Sequence, residues 1–551
     1  MEPLTWTGSA AGLFLPSFFV GLIALGIGIL GSLVAAAGTS TQPVFAPGGA
    51  VVKPYRFGTQ TSLDELILPG AVIGLVLWII ESFLADPTLG AWLATAELPG
   101  WVVTTLTVLA FFLAGAFLAW AMQRATVALY NAVIKFAGLW VVLVLVLFGI
   151  SSLLSGYGEN GIFGEIIKRF MPVWISLVVT FGLSITFKRK LGLYGKLFDS
   201  TIGMIGFALV MFWVFTAIFV GVFDLIATHD PLAQISGLKN KVPGTPLPAG
   251  SEDLYPHYLL GGDNLARDIF SRVVQGSVIV IMIAPLATIF AFMVGITLGL
   301  PAGYYGGKLD TTLSFLANLI LAFPVILLFY LLVTPEIVAT GLPNYMAAFL
   351  FLFPLIFFGV LINSRFRTQP SRNMILLAVV LIPLAWIYLS VISQDGSPLD
   401  IWPAALDWIN IPGGILVVFV SVVFVNSPTV FRIVRGLALD IKTRDYVAAA
   451  QTRGEGPWYI MLWEILPNAR GPLIVDFCLR IGYTTILLGT LGFFGLGLPP
   501  ESPDWGSTIN EGRKLLLIYV HPAMPPAIAL LSMVLGLNLL ADGLREESLK
   551  D

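Results

Sequence analysis

The sequence predicts an all-α, polytopic transmembrane bundle, and three observations carry that prediction. Of the 551 residues, 57% are apolar and only 11% charged, with a mean hydropathy of +0.91. A soluble domain carries about 25% charged residues, so an ordinary globular enzyme is excluded. The apolar residues gather into about thirteen runs, each near the ~20 residues that cross a hydrocarbon core. Lys and Arg fall in alternate short loops between those runs, where they stay behind on the cytoplasmic side during insertion.

The runs follow in order. The first, at about 12–37, comes after MEPLTWTGSA, a start without the basic n-region of a signal peptide. It is too long for a cleaved apolar region and reads as a retained helix. Runs at about 66–85, 101–122, 137–154, 171–187 and 201–226 complete six spans before the first long polar segment. The second half adds 277–300, 313–333, 346–362, 374–392, 414–430, 480–497 and 523–541. Placing Lys188, Arg189, Lys190 and Lys196 in the cytoplasm and alternating brings Lys53, Arg56, Arg124, Lys135 and Lys308 to the same side. Arg365, Arg367, Arg372, the stretch from Arg432 to Arg470, Arg545 and Lys550 join them. The expected topology is N-terminus outside and C-terminus inside. Lys168 and Arg169 fall outside and read as an interfacial amphipathic turn.

Several chemistries are excluded. The 29 Lys+Arg against 32 Asp+Glu leave a net charge of −3, which argues against a nucleic-acid partner. One cysteine, Cys478, allows neither an intrachain disulfide nor a cysteine metal cage, and reads as a packing thiol. His229, His257 and His521 are far apart in expected outer loops, so neither zinc nor an acid–base dyad is expected. AGYYGGKLD has Ala302 at the first glycine position of a phosphate loop and Leu309 where Ser/Thr would hold magnesium, so no ATP cradle forms. No cofactor or metal is expected on this chain. Glu81, Asp224 and Glu336 sit toward helix ends, which weakens the alternative reading of an ion-coupled secondary transporter. Asp476 and Arg480, four apart, are expected to pair, and Asn318, Asn426 and Asn538 to act as interhelical hydrogen-bond groups.

Two polar segments have internal architecture. The first, 228–275, carries Pro231, Pro243, Pro246, Pro248 and Pro256 before GGDNLARDIFSRVVQG and is expected outside. In the second, 432–472, Thr443 to Arg453 reads as a short helix stopped by a left-handed Gly454. Gly456-Pro457 restarts a helix, and Pro467 is expected to end it. Tyr446, Val447, Trp458, Tyr459 and Met461 make the pair an amphipathic knob. Such a knob either lies in a groove of a soluble partner, transmitting its movement, or rests on lipid headgroups.

YVAAAQTRG, followed by Glu464-Ile465-Leu466-Pro467-Asn468, resembles the EAA loop of ATP-binding-cassette importer permeases, the element that docks on their ATPase subunits. Ala449, Ala450, Gly454, Leu466, Pro467 and Asn468 match. Ala448 stands in place of the usual glutamate, Arg453 in place of a common hydrophobic residue, and Glu464 in place of the histidine of the peptide branch. GGDNLARDIFSRVVQGS resembles the signature of the C-type permease subunits of dipeptide and oligopeptide importers. Asp263, Arg267, Asp268, Ser271 and Arg272 match there, and Ala266 replaces a usual glycine. The resemblance continues through Gly303, Tyr304, Gly306, Gly307, Asp310 and Pro324, and through Gly495, Gly497, Pro499, Pro500, Trp505, Gly506, Glu511, Gly512 and Arg513. It ends with Asp542, Gly543, Leu544 and Arg545.

The resemblance implies a type I importer permease core over 196–551, with two inserted helices at about 345–395, a periplasmic loop at 228–275 and a coupling loop at 440–470. Residues 1–195 become accessory helices. It further implies a coupling role for Tyr446, Ala449, Ala450, Gly454, Glu455, Trp458, Leu466 and Pro467. The implied partners are a second homologous permease, two ATP-binding subunits carrying ATP and magnesium, and a periplasmic substrate-binding protein. The implied location is a bacterial inner membrane, and the cargo peptides or related small solutes.

Overall fold

The computed structural model of the chain describes residues 2–38, 127–248, 254–393, 399, 402–403, 406, 413–496 and 501–548. The expected spans at 66–85 and 101–122 lie outside these residues, as do Lys53, Arg56, Glu81, Arg124, Gly497, Pro499, Pro500 and Lys550. Among the described residues, ten helices are long and apolar enough to cross a membrane, and one bent helix pair adds an eleventh. Each falls on a run expected from the sequence.

The described chain divides into two compact units, Thr7–Asn160 and Met1–Trp6 with Gly161–Asp551. In the smaller unit, α1 (Ala11–Gly38) and α2 (Val127–Leu154) pack antiparallel. A Cβ on Gly21 would meet Val141 Cγ2 at 2.7 Å and one on Gly28 would meet Ile134 Cγ1 at 2.8 Å. Small residues let helix backbones approach where apolar surface has lipid as an equally good neighbour.

In the larger unit, α3 (Gly161–Arg169) is a short amphipathic helix, followed by the spans α4 (Met171–Phe187) and α5 (Thr201–Gly221). The boundary drawn at residue 195 on sequence therefore lies inside this unit, because Ile162, Phe170 and Val173 bury against Val220, Phe270 and Val274. Lys168 pairs with Glu165 at 3.0 Å and Arg169 stacks over the Tyr255 ring at 4.3 Å, so both cations of the expected interfacial turn have local partners. A loop layer follows, with a two-stranded antiparallel ribbon of β1 (Thr245–Pro246) and β2 (His257–Tyr258). The first residues of the chain are threaded onto it: Leu4 N–H donates to Gly244 O, and Glu2 O accepts from the His257 ring at 2.9 Å.

The centre is α6 (Ile269–Tyr305), running parallel to the later span Gly413–Ile441. After it, α7 (Gly307–Leu321) and α8 (Val325–Val333) meet at 81° at Pro324, whose missing N–H and ring break the helix. The inserted pair consists of α9 (Leu342–Leu350) with α10 (Leu352–Phe366), and α11 (Pro370–Ile392). Then come α12 (Gly413–Ile441), the knob helix α13 (Asp445–Thr452), α14 (Arg470–Phe493), the short α15 (Trp505–Arg513) and α16 (Met524–Ser548).

Gly295, Gly299 and Gly303 set the α6–α12 contact. Spaced by four, they form one stripe on α6, and added Cβ atoms there would meet Val430, Phe431 and Ala438 at 2.5, 2.9 and 2.7 Å. The register holds over all three, and α12 is the most deeply buried span. Two of the three expected asparagines bond between helices: Asn426 Nδ2 donates to Thr484 Oγ1 at 3.3 Å and Asn318 Oδ1 accepts from Arg432 at 2.9 Å, and Asp476 pairs with Arg480 at 2.8 Å as expected. Asn538 lies exposed beside Gly482 with van der Waals contact only. Cys478 is buried and free.

Candidate functional site: the knob and the far-end clamp

The knob folds for local reasons. Its first helix, α13, ends in a double turn: Gly454 N–H donates to Gln451 O at 3.0 Å and Glu455 N–H to Ala450 O at 3.2 Å. This is the Schellman pattern, which needs a left-handed residue, and Gly454 has φ +79°. Pro457 then opens the second helical stretch at its first turn, where its missing N–H leaves nothing unsatisfied.

One expectation fails here. Pro467 does not end the second helix. The path runs from Pro457–Tyr459 through a π-helical Ile460–Ile465 into Leu466–Asn468, and after Ala469 into α14. The wider π turn shifts the hydrogen-bond register ahead of Pro467, so the proline sits at the start of a new helical segment and its absent donor breaks nothing.

Val447, Ala450, Ile460, Met461, Leu462 and Ile465 form the knob's interior, continuous with Val430, Val434 and Ala438 of α12. Ala450 thus faces inward and is fully buried. Outward lie Tyr446, Ala448, Ala449, Gly454 and Pro467, with Glu455, Trp458 and Leu466 half-buried.

Polar contacts tie the knob region to the bundle. Lys442 Nζ donates to Gly303 O at 2.8 Å and to Tyr304 O at 3.3 Å, satisfying free carbonyls at the C-terminal end of α6. Gln451 Nε2 donates to the Tyr304 hydroxyl at 3.2 Å. Arg435 grips Asp310 through two nitrogens, one at 2.7 Å, joining α12 to α7. The phosphate-loop look-alike is thereby a helix junction, with Gly306 and Gly307 both at positive φ.

At the far end of the bundle the family-motif residues build a buried clamp. Asp268 caps α6, accepting from Phe270 N–H at 3.2 Å, Ser271 N–H at 3.3 Å and Ser271 Oγ at 2.7 Å. It also receives Thr228 Oγ1 at 2.5 Å and the His229 ring at 3.1 Å, while Ser271 Oγ accepts from His229 N–H at 2.9 Å. Asp263 takes Arg267 Nε at 2.7 Å and the Arg267 N–H at 2.9 Å, and Arg267 reaches on to Glu511 of α15. Arg272 donates to Ser502 O at 3.1 Å and Thr508 Oγ1 at 3.2 Å. Trp505 Nε1 donates to Val273 O at 2.8 Å and its ring meets Trp213 at 5.0 Å.

All five motif residues, Asp263, Arg267, Asp268, Ser271 and Arg272, are buried. They weld the loop layer, α6 and α15 into one block and present no open face to a ligand. Burial, with Asp268 and Asp263 nearby, pushes the Tyr258 hydroxyl well above its ordinary range, so it remains a donor, to Ala266 O at 3.0 Å. Burial likewise raises the Asp504 carboxyl.

Sequence reasoning missed Thr228, His229, Lys442 and Gln451. Each acts on a partner at least 39 residues away, a separation for which no local spacing rule exists. Among the described residues, no group of three or more His, Cys, Asp or Glu could hold a metal ion.

Residues 295–546 match the family of binding-protein-dependent transport system inner membrane components. The glutathione transport system permease protein GsiD of Pectobacterium atrosepticum is 29% identical over 287 residues, 52% of this chain and 70% of the relative. The dipeptide transport system permease protein DppC of Haemophilus influenzae is 28% identical over 321 residues, 58% of this chain and 82% of the relative. That of Alkalihalophilus pseudofirmus is 25% identical over 324 residues, 59% of this chain and 81% of the relative. Residues 295–546 belong to the inner-membrane permease components of binding-protein-dependent transport systems. Within them the chain is a C-type ABC importer permease with additional N-terminal helices, a multi-pass transport subunit and not an enzyme. It works in a complex with other subunits. This assignment sets the secondary-transporter alternative aside.

Proposed function

We propose that this chain forms one side of a translocation path for peptides or related small solutes, with a second homologous permease forming the other. Two ATP-hydrolysing subunits, which carry the ATP and magnesium, seat on the knob around Tyr446, Ala449, Gly454, Glu455 and Trp458. A substrate-binding protein delivers cargo at the far end. The knob end is cytoplasmic, the N-terminus outside and the C-terminus inside. Residues 2–6 lying on the far-end layer, and Glu546 of α16 meeting Ser200 beside the basic Lys188–Lys196 turns, support this orientation. The N-terminal helices serve as accessory spans.

The carrying observation is the knob itself. It has an outer face exposing Tyr446, Ala448, Ala449 and Gly454, a filled apolar interior continuous with α12, and polar fastenings to α6. A push on the outer face therefore moves helices instead of deforming the knob, which is what a lever requires. Ala449→Arg tests it, because Ala449 is exposed and an arginine there leaves the knob's interior intact. The expected result in the assembled complex is loss of transport and of substrate-stimulated ATP hydrolysis, with normal insertion of this subunit. Unchanged coupling overturns the reading.

A further inference from the structure

The inserted helix α10 carries a stripe of residues at one face, Phe357, Val360, Leu361, Ser364 and Arg365, at the i, i+3, i+4, i+7 and i+8 positions of helical neighbours. The stripe is laid against the knob's second helical stretch. Phe357, Val360 and Leu361 pack on the same apolar cluster as Trp458, Trp463 and the buried Ile460, Met461 and Leu462. Beyond them the contact turns polar. Trp463 Nε1 donates to Ser364 Oγ at 3.1 Å, Arg365 Nη1 donates to the Tyr459 hydroxyl at 3.2 Å, and the Arg365 guanidinium lies 4.9 Å over the Trp463 ring. Lipid contact alone would ask only for apolar residues on α10. Two side-chain hydrogen bonds and a cation over an indole, all directed at the knob, define a specific joint.

We propose that the inserted pair of α10 and α11 is a brace for the coupling knob, and that Arg365 and Ser364 are positioning residues for energy coupling. The knob thereby rests on α10 as well as on the core helices α6, α12 and α14. A push on its outer face is resisted or transmitted by the inserted pair as well as by the core helices. This inference rests on the coupling role proposed above. Arg365 acts through Tyr459 and Trp463 and touches neither cargo nor nucleotide.

The test uses the assembled complex in liposomes, reading solute transported per ATP hydrolysed together with the amount of ATPase subunit retained. Tyr459→Phe removes only the hydroxyl that Arg365 donates to, and Arg365→Ala removes the joint's cation. Both are expected to retain the ATPase subunits while lowering the transport-to-hydrolysis ratio about two- to tenfold, the range one lost hydrogen bond spans. Arg365→Lys, which keeps a cation over Trp463, is expected to recover part of the ratio. An unchanged ratio in both Tyr459→Phe and Arg365→Ala overturns the brace. Full coupling in Ala449→Arg, run beside them, overturns instead the coupling role of the knob.

Discussion

Arg453 and Glu464 form a salt bridge at 2.8 Å across the two halves of the knob. These are two of the three positions at which the coupling loop departs from its family's usual residues, and the departures answer each other. A cation entering at the end of α13 meets a carboxylate entering eleven residues later. With Arg453 54% and Glu464 23% exposed, the pair is worth about 0.2–1 kcal/mol. Its expected effect is therefore local. Arg453→Glu should speed amide hydrogen exchange in Asp445–Thr452, and the reversed pair Arg453→Glu with Glu464→Arg should restore it. Equal exchange in all three proteins would show the bridge idle.

Ala266 has φ +63°, a left-handed conformation, at the position where the resemblance places a glycine. A side chain there is strained by about 1 kcal/mol or more, and glycine removes the strain while adding some unfolded-chain entropy. Ala266→Gly is expected to raise thermal stability by a net of about 1 kcal/mol or less. A lower melting temperature contradicts the strain argument.

Arg267 is buried between Asp263 and Glu511. Removing it takes the 2.7 Å partner from buried Asp263 and leaves only Arg272 at 4.0 Å, a loss of about 3–5 kcal/mol. Arg267→Leu should abolish the clamp, detected as protease cleavage within 228–268. Glu511→Gln keeps a hydrogen-bond acceptor for Arg267 and should be much milder.

How much of this was legible beforehand depends on range. The spans among the described residues, the Gly454 stop, the Pro457 start and the Asp476–Arg480 pair are set by neighbours within a turn or by hydropathy, and the structure agrees with each. Asp268 could be matched to a motif, but its work as the cap of α6 needs Thr228 and His229, brought in by the fold of the loop layer. Pro467 was misread because a π turn, which has no sequence signature, shifts the register before it. The joint of α10 with the knob joins residues 94 and 99 apart and could not be seen at all.

His521 sits at the far end, its Nε2 at 3.3 Å from Gly262 O, and burial lowers its pKa below the usual value of 6.5. Above that value the ring is neutral in both folded and unfolded chains. As pH falls through it the unfolded chain takes up a proton first, so native stability declines toward acid. Melting temperatures followed from pH 7.5 to 5 should fall less steeply in His521→Asn than in the parent. Parallel curves contradict a buried neutral imidazole.

The central claim is that this chain is the membrane lever of a multi-subunit importer. It is tested most directly by purifying the chain from its native membrane in mild detergent and identifying what accompanies it by mass spectrometry. The expected result is a second permease and ATPase subunits in stoichiometric amounts. Recovery of the chain alone, or only with copies of itself, contradicts the claim.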